Sequence, residues 1–281
     1  MNYNDITIGI VSFKSEKVIF ECLKSIKKIN KIIIFDNLKD KILQKKVKKF
    51  YPKIKFILSK KNLGYGKANN KIIKICKTKF LFILNPDTIL KKYCEHEMLR
   101  SIKKLKNNFS IISPISNEKN YNLEKKKNKT TKDKIADVDF VKGFAMLINI
   151  KEIKKIGMFD ENIFLYLEEI DLCKRLKFLD KKICLAPNIY VKHFAGKSHD
   201  PNFSDKMEIQ RNWHYMWSLF YFNKKYKGFL YAFKITIGKF ISAFFKLIIF
   251  FIINKKKHQI YKHRFLGLLN SYLNKKSKFR S

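Results

Sequence analysis

The sequence predicts an α/β protein, in which an open, mostly parallel, Rossmann-like sheet flanked by helices is followed by a separate helical region. Three observations predict it. Short, β-branched apolar runs recur early, at residues 6–13 (ITIGIVSF), 31–35 (KIIIF), 54–58 (IKFIL) and 80–84 (FLFIL), with the length and composition of buried strands. Helical periodicity separates them, as at Val18, Ile19, Cys22, Leu23 and Ile26. Beyond Asp205 the strand-like runs cease, and the chain becomes aromatic and apolar with interspersed lysine.

At 281 residues and 46% hydrophobic content, the chain has room for one large α/β domain or two smaller ones. The change of character sets the division at 1–205 and 206–281. Against 23 Asp and Glu stand 62 Lys and Arg, a formal charge of +39. That exceeds what solubility needs and implies a polyanionic neighbour such as nucleic acid, anionic lipid or a phosphorylated substrate. Compositional drift towards Lys, Ile, Asn and Phe explains the charge equally well. No recognition-helix motif, zinc finger or aromatic RNA-binding signature accompanies it, which argues against nucleic acid as the partner. Five widely spaced cysteines with no CxxC pair point to reduced thiols rather than a disulfide scaffold. The N-terminus enters a strand-like run directly, so no signal peptide is expected.

The first strand leads into a helix expected over 18–29, and the second strand ends at Asp36-Asn37. Strand, helix, strand in about thirty residues is a right-handed βαβ unit. Asp36 thus lies at the carboxyl end of a central strand, where open α/β sheets bind ligands. It can accept from a nucleobase imide or ribose hydroxyl, or it can simply end the strand as an Asp-Asn turn. A helix is expected over 43–50. After the third strand, KNLGYGKANN (61–70) sets two glycines and several amides before a helix reaching about residue 77, which suits a loop close to a diphosphate. The fourth strand stops at Asn85-Pro86-Asp87-Thr88. This is a good place for a metal ligand, or an ordinary turn. Residues 117–134, dense in Lys and Asn, read as a solvated loop.

Asp160, Glu161, Glu168, Glu169 and Asp171 fall within twelve residues, among Phe159, Ile163, Phe164, Leu165, Tyr166 and Leu167. Two readings are open. Partial burial raises a carboxyl pKa and makes a general base. Alternatively, the acids face water on a surface helix, with Asp171 pairing Arg175 at i,i+4.

In order and spacing, VSF, IIIFDN, NLGYGKANN, FLFILNPDT, VDFVKGFAMLI, GMFDENIFLYLEEIDLCKRL and VKHFAGKSH resemble the inverting family 2 glycosyltransferases of GT-A fold. The likeness covers roughly residues 5–200 and is greatest to the rhamnosyltransferase-type branch that builds bacterial cell-surface polysaccharide. The resemblance implies a nucleotide-sugar donor contacted by Ser12, Asp36, Asn62, Gly64, Gly66, Asn69, Asn85 and Gly143. Asp87 takes the metal-binding place of a DxD motif whose first Asp is here Asn85, and His193 completes a site for Mg or Mn. Glu168-Glu169 matches the family's ED pair, whose second member is the catalytic base. Glu169 therefore stands in for Asp, one methylene longer, with Glu168 in support. The implied first-choice reaction moves L-rhamnose from dTDP-rhamnose to a lipid-linked or polysaccharide acceptor with inversion. A degenerate, non-catalytic nucleotide-sugar-binding protein is the second reading, motivated by Asn85 and Glu169.

In the C-terminal region, 229–253 is strongly apolar but interrupted by Lys234, Lys239 and Lys246. An uninterrupted run of about 20 residues is usual for a simple spanning helix. The pattern predicts amphipathic helices lying in an anionic membrane face, peripheral or monotopic on the cytoplasmic side, with Lys snorkelling to headgroups. Spanning the membrane is the alternative.

Overall fold

A computed structural model describes residues 1–117, 135–194 and 204–279. The Lys- and Asn-rich insert beyond Asn117 and the VKHFAGKSH segment beyond Phe194 lie outside the described residues. The chain forms two compact units: Met1–Leu63 with Lys67–Phe159 and Leu172–Asp200, and Gly64–Gly66 with Asp160–Asp171 and Pro201–Ser281. The acidic block thus groups with the C-terminal helices.

Among the described residues the first unit is built on a nine-stranded sheet. Strands β1 (Ile6–Ser12), β2 (Ile32–Asp36), β3 (Lys55–Leu58) and β4 (Phe80–Leu84) are parallel in the order β3-β2-β1-β4. Beyond β4 the sheet is mixed. Strand β8 (Ala145–Asn149) runs antiparallel to β4, followed by β6 (Ile111–Ile115), β9 (Ile183–His193) and β5 (Thr88–Leu90), with the short β7 (Ala136–Asp137) also on β9. All five residues of β4 are buried, as a strand covered on both faces requires. Each large aliphatic or aromatic side chain so buried contributes about 1.5–3 kcal/mol.

Helices α1 (Glu16–Ser25), α2 (Lys41–Phe50) and α3 (Tyr65–Ile75) link the parallel strands. Helix α1 stops four residues before its expected end, and the reason is distant in sequence. Buried Glu95, in α4 (Cys94–Lys104), accepts the backbone N–H groups of Lys27, Lys28 and Ile29 at 2.8–3.1 Å. A carboxylate that captures those donors competes with the helix for them. Helix α2 starts two residues before its expected start because Asp40 caps it, accepting from the Leu43 N–H at 2.8 Å.

The second unit is largely helical. Helix α7 (Ser204–Ile253) is bent at Gly228, whose φ of 82° and ψ of 170° lie outside helical space, in a region open essentially to glycine alone. Its first arm packs along α8 (Lys255–Tyr272). Trp217 Nε1 donates to the Lys275 carbonyl and Ser271 Oγ to the Trp217 carbonyl. A Cβ at Gly267 would stand 2.4 Å from the Trp213 carbonyl, so glycine sets that close approach. The second arm buries Ala232, Thr236 and Ala243 and leaves most of its large apolar side chains exposed. By length and composition α7 can cross a membrane.

Candidate active site

Ser12 and Asp36 end β1 and β2 at paired register positions, and β4 delivers Asn85 and Asp87 from the other side of β1. Between β1 and β4 the strand order reverses, which is where open α/β sheets form their ligand crevice. Asp36 meets both open readings. Its Oδ1 accepts from the Leu38 and Asp40 N–H groups at 3.0 and 2.9 Å, as a turn cap. Its Oδ2 is buried without a hydrogen-bond partner, as is Ser12 Oγ. Burial raises the Asp36 pKa, opposed by these two backbone bonds and, more weakly, by the nearby Ser12 hydroxyl, which falls short of hydrogen-bond geometry.

Asp87 is 2% exposed, and its Oδ1 has no hydrogen-bond partner. His193 Nε2 lies 3.5 Å from it, too long for a good hydrogen bond but a near neighbour. The imidazole is held flat against Phe144, centroids 4.6 Å apart, and Thr88 pairs with His193 across β5 and β9. Thr88 Oγ1 donates to the Asn85 carbonyl at 2.6 Å, closing the turn. Beneath it lies Cys22, 3.7 Å from Thr88 Oγ1, its thiol pushed up to about 12 by burial. All five cysteines are buried free thiols. Among the described residues no three acidic, His or Cys side chains converge on one metal position; Asp87 and His193 set one carboxylate beside one imidazole. The carboxylate would suit a hard divalent cation such as Mg or Mn, with the imidazole as a further ligand.

In the glycine-rich loop Gly64 meets the chain that leads to the acidic block. Gly64 has φ of 80°, and a Cβ there would fall 2.3 Å from the Phe164 carbonyl. Tyr65 N–H donates to that same carbonyl at 3.0 Å. Gly64 is therefore required by the backbone leading to the acidic block. Gly64→Ala is expected to destabilise the second unit by about 2 kcal/mol or more, read as a lowered urea midpoint of its tryptophan signal, since Trp213 and Trp217 both lie in α7. Gly66 and Asn69 are buried in α3. Asn70 spends both ends of its amide on the Phe159 backbone, at 2.9 and 3.0 Å. Asn62 precedes Leu63, whose N–H donates to Asn37 Oδ1, and Gly143 sits in the turn before β8.

After the short α5 (Ile150–Lys155), the acidic block opens α6 (Glu168–Lys177). Two consecutive residues before it, Tyr166 and Leu167, have φ of 70° and 69°. Such left-handed non-glycine residues cost about 1 kcal/mol or more each and cluster at functional sites. Glu168 is buried, its Oε2 has no hydrogen-bond partner, and its pKa is raised well above the usual carboxylate range by burial and then by the Glu169 charge. Glu169 is only half buried. Asp171 is buried, and Lys225 Nζ and Tyr226 OH reach its Oδ1 at 2.6 and 2.8 Å. Lys225 also meets Asp160 Oδ2 at 2.7 Å, where Tyr221 OH donates too. Burial pushes the Asp160 pKa up, but the bonds from Lys225 and the Asn162 N–H leave it below its ordinary value. Arg175 donates to the Ile156 carbonyl at 2.7 Å and to that of Met158.

The model of the family described as "Glycosyl transferase family 2" matches residues 7–183. The chain belongs to this family. Among curated relatives of this family 2 glycosyltransferase is the rhamnosyltransferase WbbL of Escherichia coli strain K12, 28% identical over 203 residues, or 62% of this chain and 76% of the relative. Another is the low-salt glycan biosynthesis hexosyltransferase Agl10 of Haloferax volcanii. It is 26% identical over 196 residues, and the match spans 62% of each chain. A similar solved structure is the mannosyltransferase PcManGT of Pyrobaculum calidifontis in complex with GDP-Man and Mn2+. Its TM-score is 0.63 at 10% identity, covering 97% of this chain and 88% of that one. This family 2 chain accordingly has the GT-A fold.

Sequence reasoning did not find the cation of the acidic block. Lys225 sits in a run of lysines at residues 224–227 that reads as basic surface. The signal was the i,i+4 pairing of Tyr221 with Lys225, which puts both on one helix face.

Proposed function

We propose that this protein transfers a sugar, with L-rhamnose from dTDP-rhamnose as first choice, from a nucleotide donor to a lipid-linked or polysaccharide acceptor. It does so with inversion, at the cytoplasmic face of the cell membrane. The observation that carries the proposal is the row of buried, unsatisfied oxygens at the carboxyl edge of β2, β1 and β4: Asp36 Oδ2, Ser12 Oγ and Asp87 Oδ1. An oxygen buried without a partner costs about 1–3 kcal/mol, and a ligand with matching donors or a cation offsets that cost.

In this reading Asp36 and Ser12 take the nucleoside, and Asn62, Gly66, Asn69, Asn85 and Gly143 line the donor. Asp87 and His193 would hold Mg or Mn, which would supply neutralisation of charge on the leaving diphosphate. Glu169 accepts the proton of the acceptor hydroxyl as its oxygen attacks the anomeric carbon. The bond from that carbon to the diphosphate breaks, and the nucleoside diphosphate leaves. A single displacement needs one base only, in contrast to the paired carboxylates of glycoside hydrolysis. The relation to WbbL supports the sugar, and the mannosyltransferase complex supports the metal.

The test is nucleotide release from a panel of nucleotide sugars with Mg or Mn and a lipid-linked acceptor. dTDP-rhamnose should be turned over best, and Asp87→Ala should weaken metal-dependent donor binding at least about tenfold. Release from no donor would reject the proposal.

A further inference from the structure

The second arm of α7 carries a face that nothing among the described residues of its own unit covers. Its inner side is narrow and small: Ala232, Thr236 and Ala243 are buried, Thr236 Oγ1 lies 3.0 Å from Tyr272 OH, and Phe240 stacks on Phe265 at 4.5 Å. On the outer side Leu230 is 83% and Ile252 89% exposed, with Ile241, Phe245 and Ile248 exposed between them. At about 100° per residue these five lie within roughly 60° of one another. Lys239 and Lys246 are roughly 140° from the centre of that face and close to each other in angle. From Gly238 to the end of the helix the outer face is therefore uncharged; ahead of it the exposed Lys234 falls within the arc of the face, between Leu230 and Ile241. Soluble monomers rarely present an apolar stripe of this length to water.

The sequence leaves spanning and lying on a membrane both open, and the packing of α8 separates them. Helix α8 is fixed to the second arm along its length. His258 Nδ1 lies 3.0 Å from the Leu247 carbonyl, Phe250 and Tyr261 are 5.5 Å apart, and the Thr236–Tyr272 bond closes the far end. Helix α8 carries Lys255, Lys256, Lys257, Lys262 and Arg264. If the second arm crossed a bilayer, these cations would cross with it or the packing would be lost. Lysine and arginine are strongly disfavoured at the bilayer centre. In the interface the cations of α8 stay at headgroup depth, the outer face beyond Gly238 enters the acyl boundary, and Lys234 reaches the headgroups by its long stem. Beside the outer face, a groove of about 590 Å³ combines apolar walls from Leu247, Ile248, Phe251 and Phe265 with Lys262 and His258. Apolar walls beside a cation suit an acyl chain with an anionic headgroup, and the net charge of +39 favours an anionic bilayer over a neutral one.

We infer that the second arm of α7 is an in-plane anchor that seats its unit on the surface of an anionic phospholipid bilayer without spanning it. The first arm of the same helix holds the acidic block, through Ser218 to the Leu165 carbonyl, Tyr221 to Asp160 and Lys225 to Asp160 and Asp171. Anchor and acids therefore belong to one compact body, joined at the Gly228 bend. The inference rests on the membrane part of the proposed function and not on sugar transfer.

The experiment uses the full chain with Leu230→Cys or Ile252→Cys, each labelled with the environment-sensitive fluorophore NBD. The five buried native thiols in unsubstituted protein serve as the labelling control. Protein is added to preformed vesicles of phosphatidylcholine with or without phosphatidylglycerol. Both labels should shift to the blue on the anionic vesicles, with partitioning at least about tenfold weaker on the neutral ones. External dithionite should then bleach both labels. Three outcomes overturn the inference: one label protected until detergent is added, which means spanning; no shift at either label; or equal binding to neutral vesicles. Nucleotide release, measured without vesicles on a soluble acceptor, judges the catalytic reading separately.

Discussion

Replacing Glu169 by Gln is expected to lower turnover about 10³-fold, within the range for loss of a general base, while leaving donor affinity within about twofold. Rapid-quench turnover alongside calorimetric titration of the nucleotide sugar checks both halves. The assignment rests on environment as well as resemblance. Glu168 and Glu169 are neighbours with unlike surroundings, and such pairs divide acid from base. Glu168 is fully enclosed, lacks a hydrogen-bond partner at Oε2 and keeps its proton above the usual carboxylate range through burial and the adjacent charge. It is a poor proton acceptor until ionised, and little of it is open to an incoming hydroxyl. Asp171 is ruled out as base because its Oδ1 is taken by Lys225 and Tyr226. Glu169, partly exposed at the start of α6, remains. Full activity in Glu169→Gln would move the base elsewhere, and intact donor binding with no wild-type turnover on any acceptor would favour the degenerate-binder reading.

The parallel strands were legible because each is a continuous apolar run ending in polar turn residues. Residues 80–84 were expected as a strand and are one. Asp36 could be placed at a strand end for the same reason, since β2 ends on it. Contacts distant along the chain were not legible. Nothing near α1 announces that Glu95, some seventy residues away, will take the donors that would continue the helix. The glycine of NLGYG reads locally as a phosphate-loop residue, but its left-handed φ is fixed by a carbonyl one hundred residues later, that of Phe164. The antiparallel strand β8 beside β4 was also beyond reach, because a buried strand has the same composition in either direction. In the acidic block the sequence displayed the carboxylates but not their cation. Asp171 and Lys225 are 54 positions apart, and charge pairing at that range leaves no periodic trace.

That cation supports the second large effect. Lys225→Met is expected to destabilise the C-terminal unit by about 2–3 kcal/mol. Breaking a buried pair by removing one partner costs about 3–5 kcal/mol. The lower figure follows because the Lys225 side chain is 28% exposed and Tyr226 still donates to Asp171. Asp171, whose side chain is 0% exposed, would lose its cation, and Asp160 would lose the same partner. The measurement is the urea midpoint followed by tryptophan fluorescence, beside the double variant Lys225→Met with Asp171→Asn. The double variant should recover more than half of the loss, since it removes the stranded carboxyl as well as the cation. If Lys225→Met unfolds at the wild-type midpoint, Lys225 is only a surface lysine resting near two acids. If the double variant is no more stable than the single, the loss comes from packing of the lysine stem rather than from Asp171. Recovery of stability should not restore turnover. The carboxylates at 168 and 169 follow two left-handed residues, Tyr166 and Leu167, and a conformation that costly persists only while Asp160 and Asp171, which bracket it, are held by the first arm of α7.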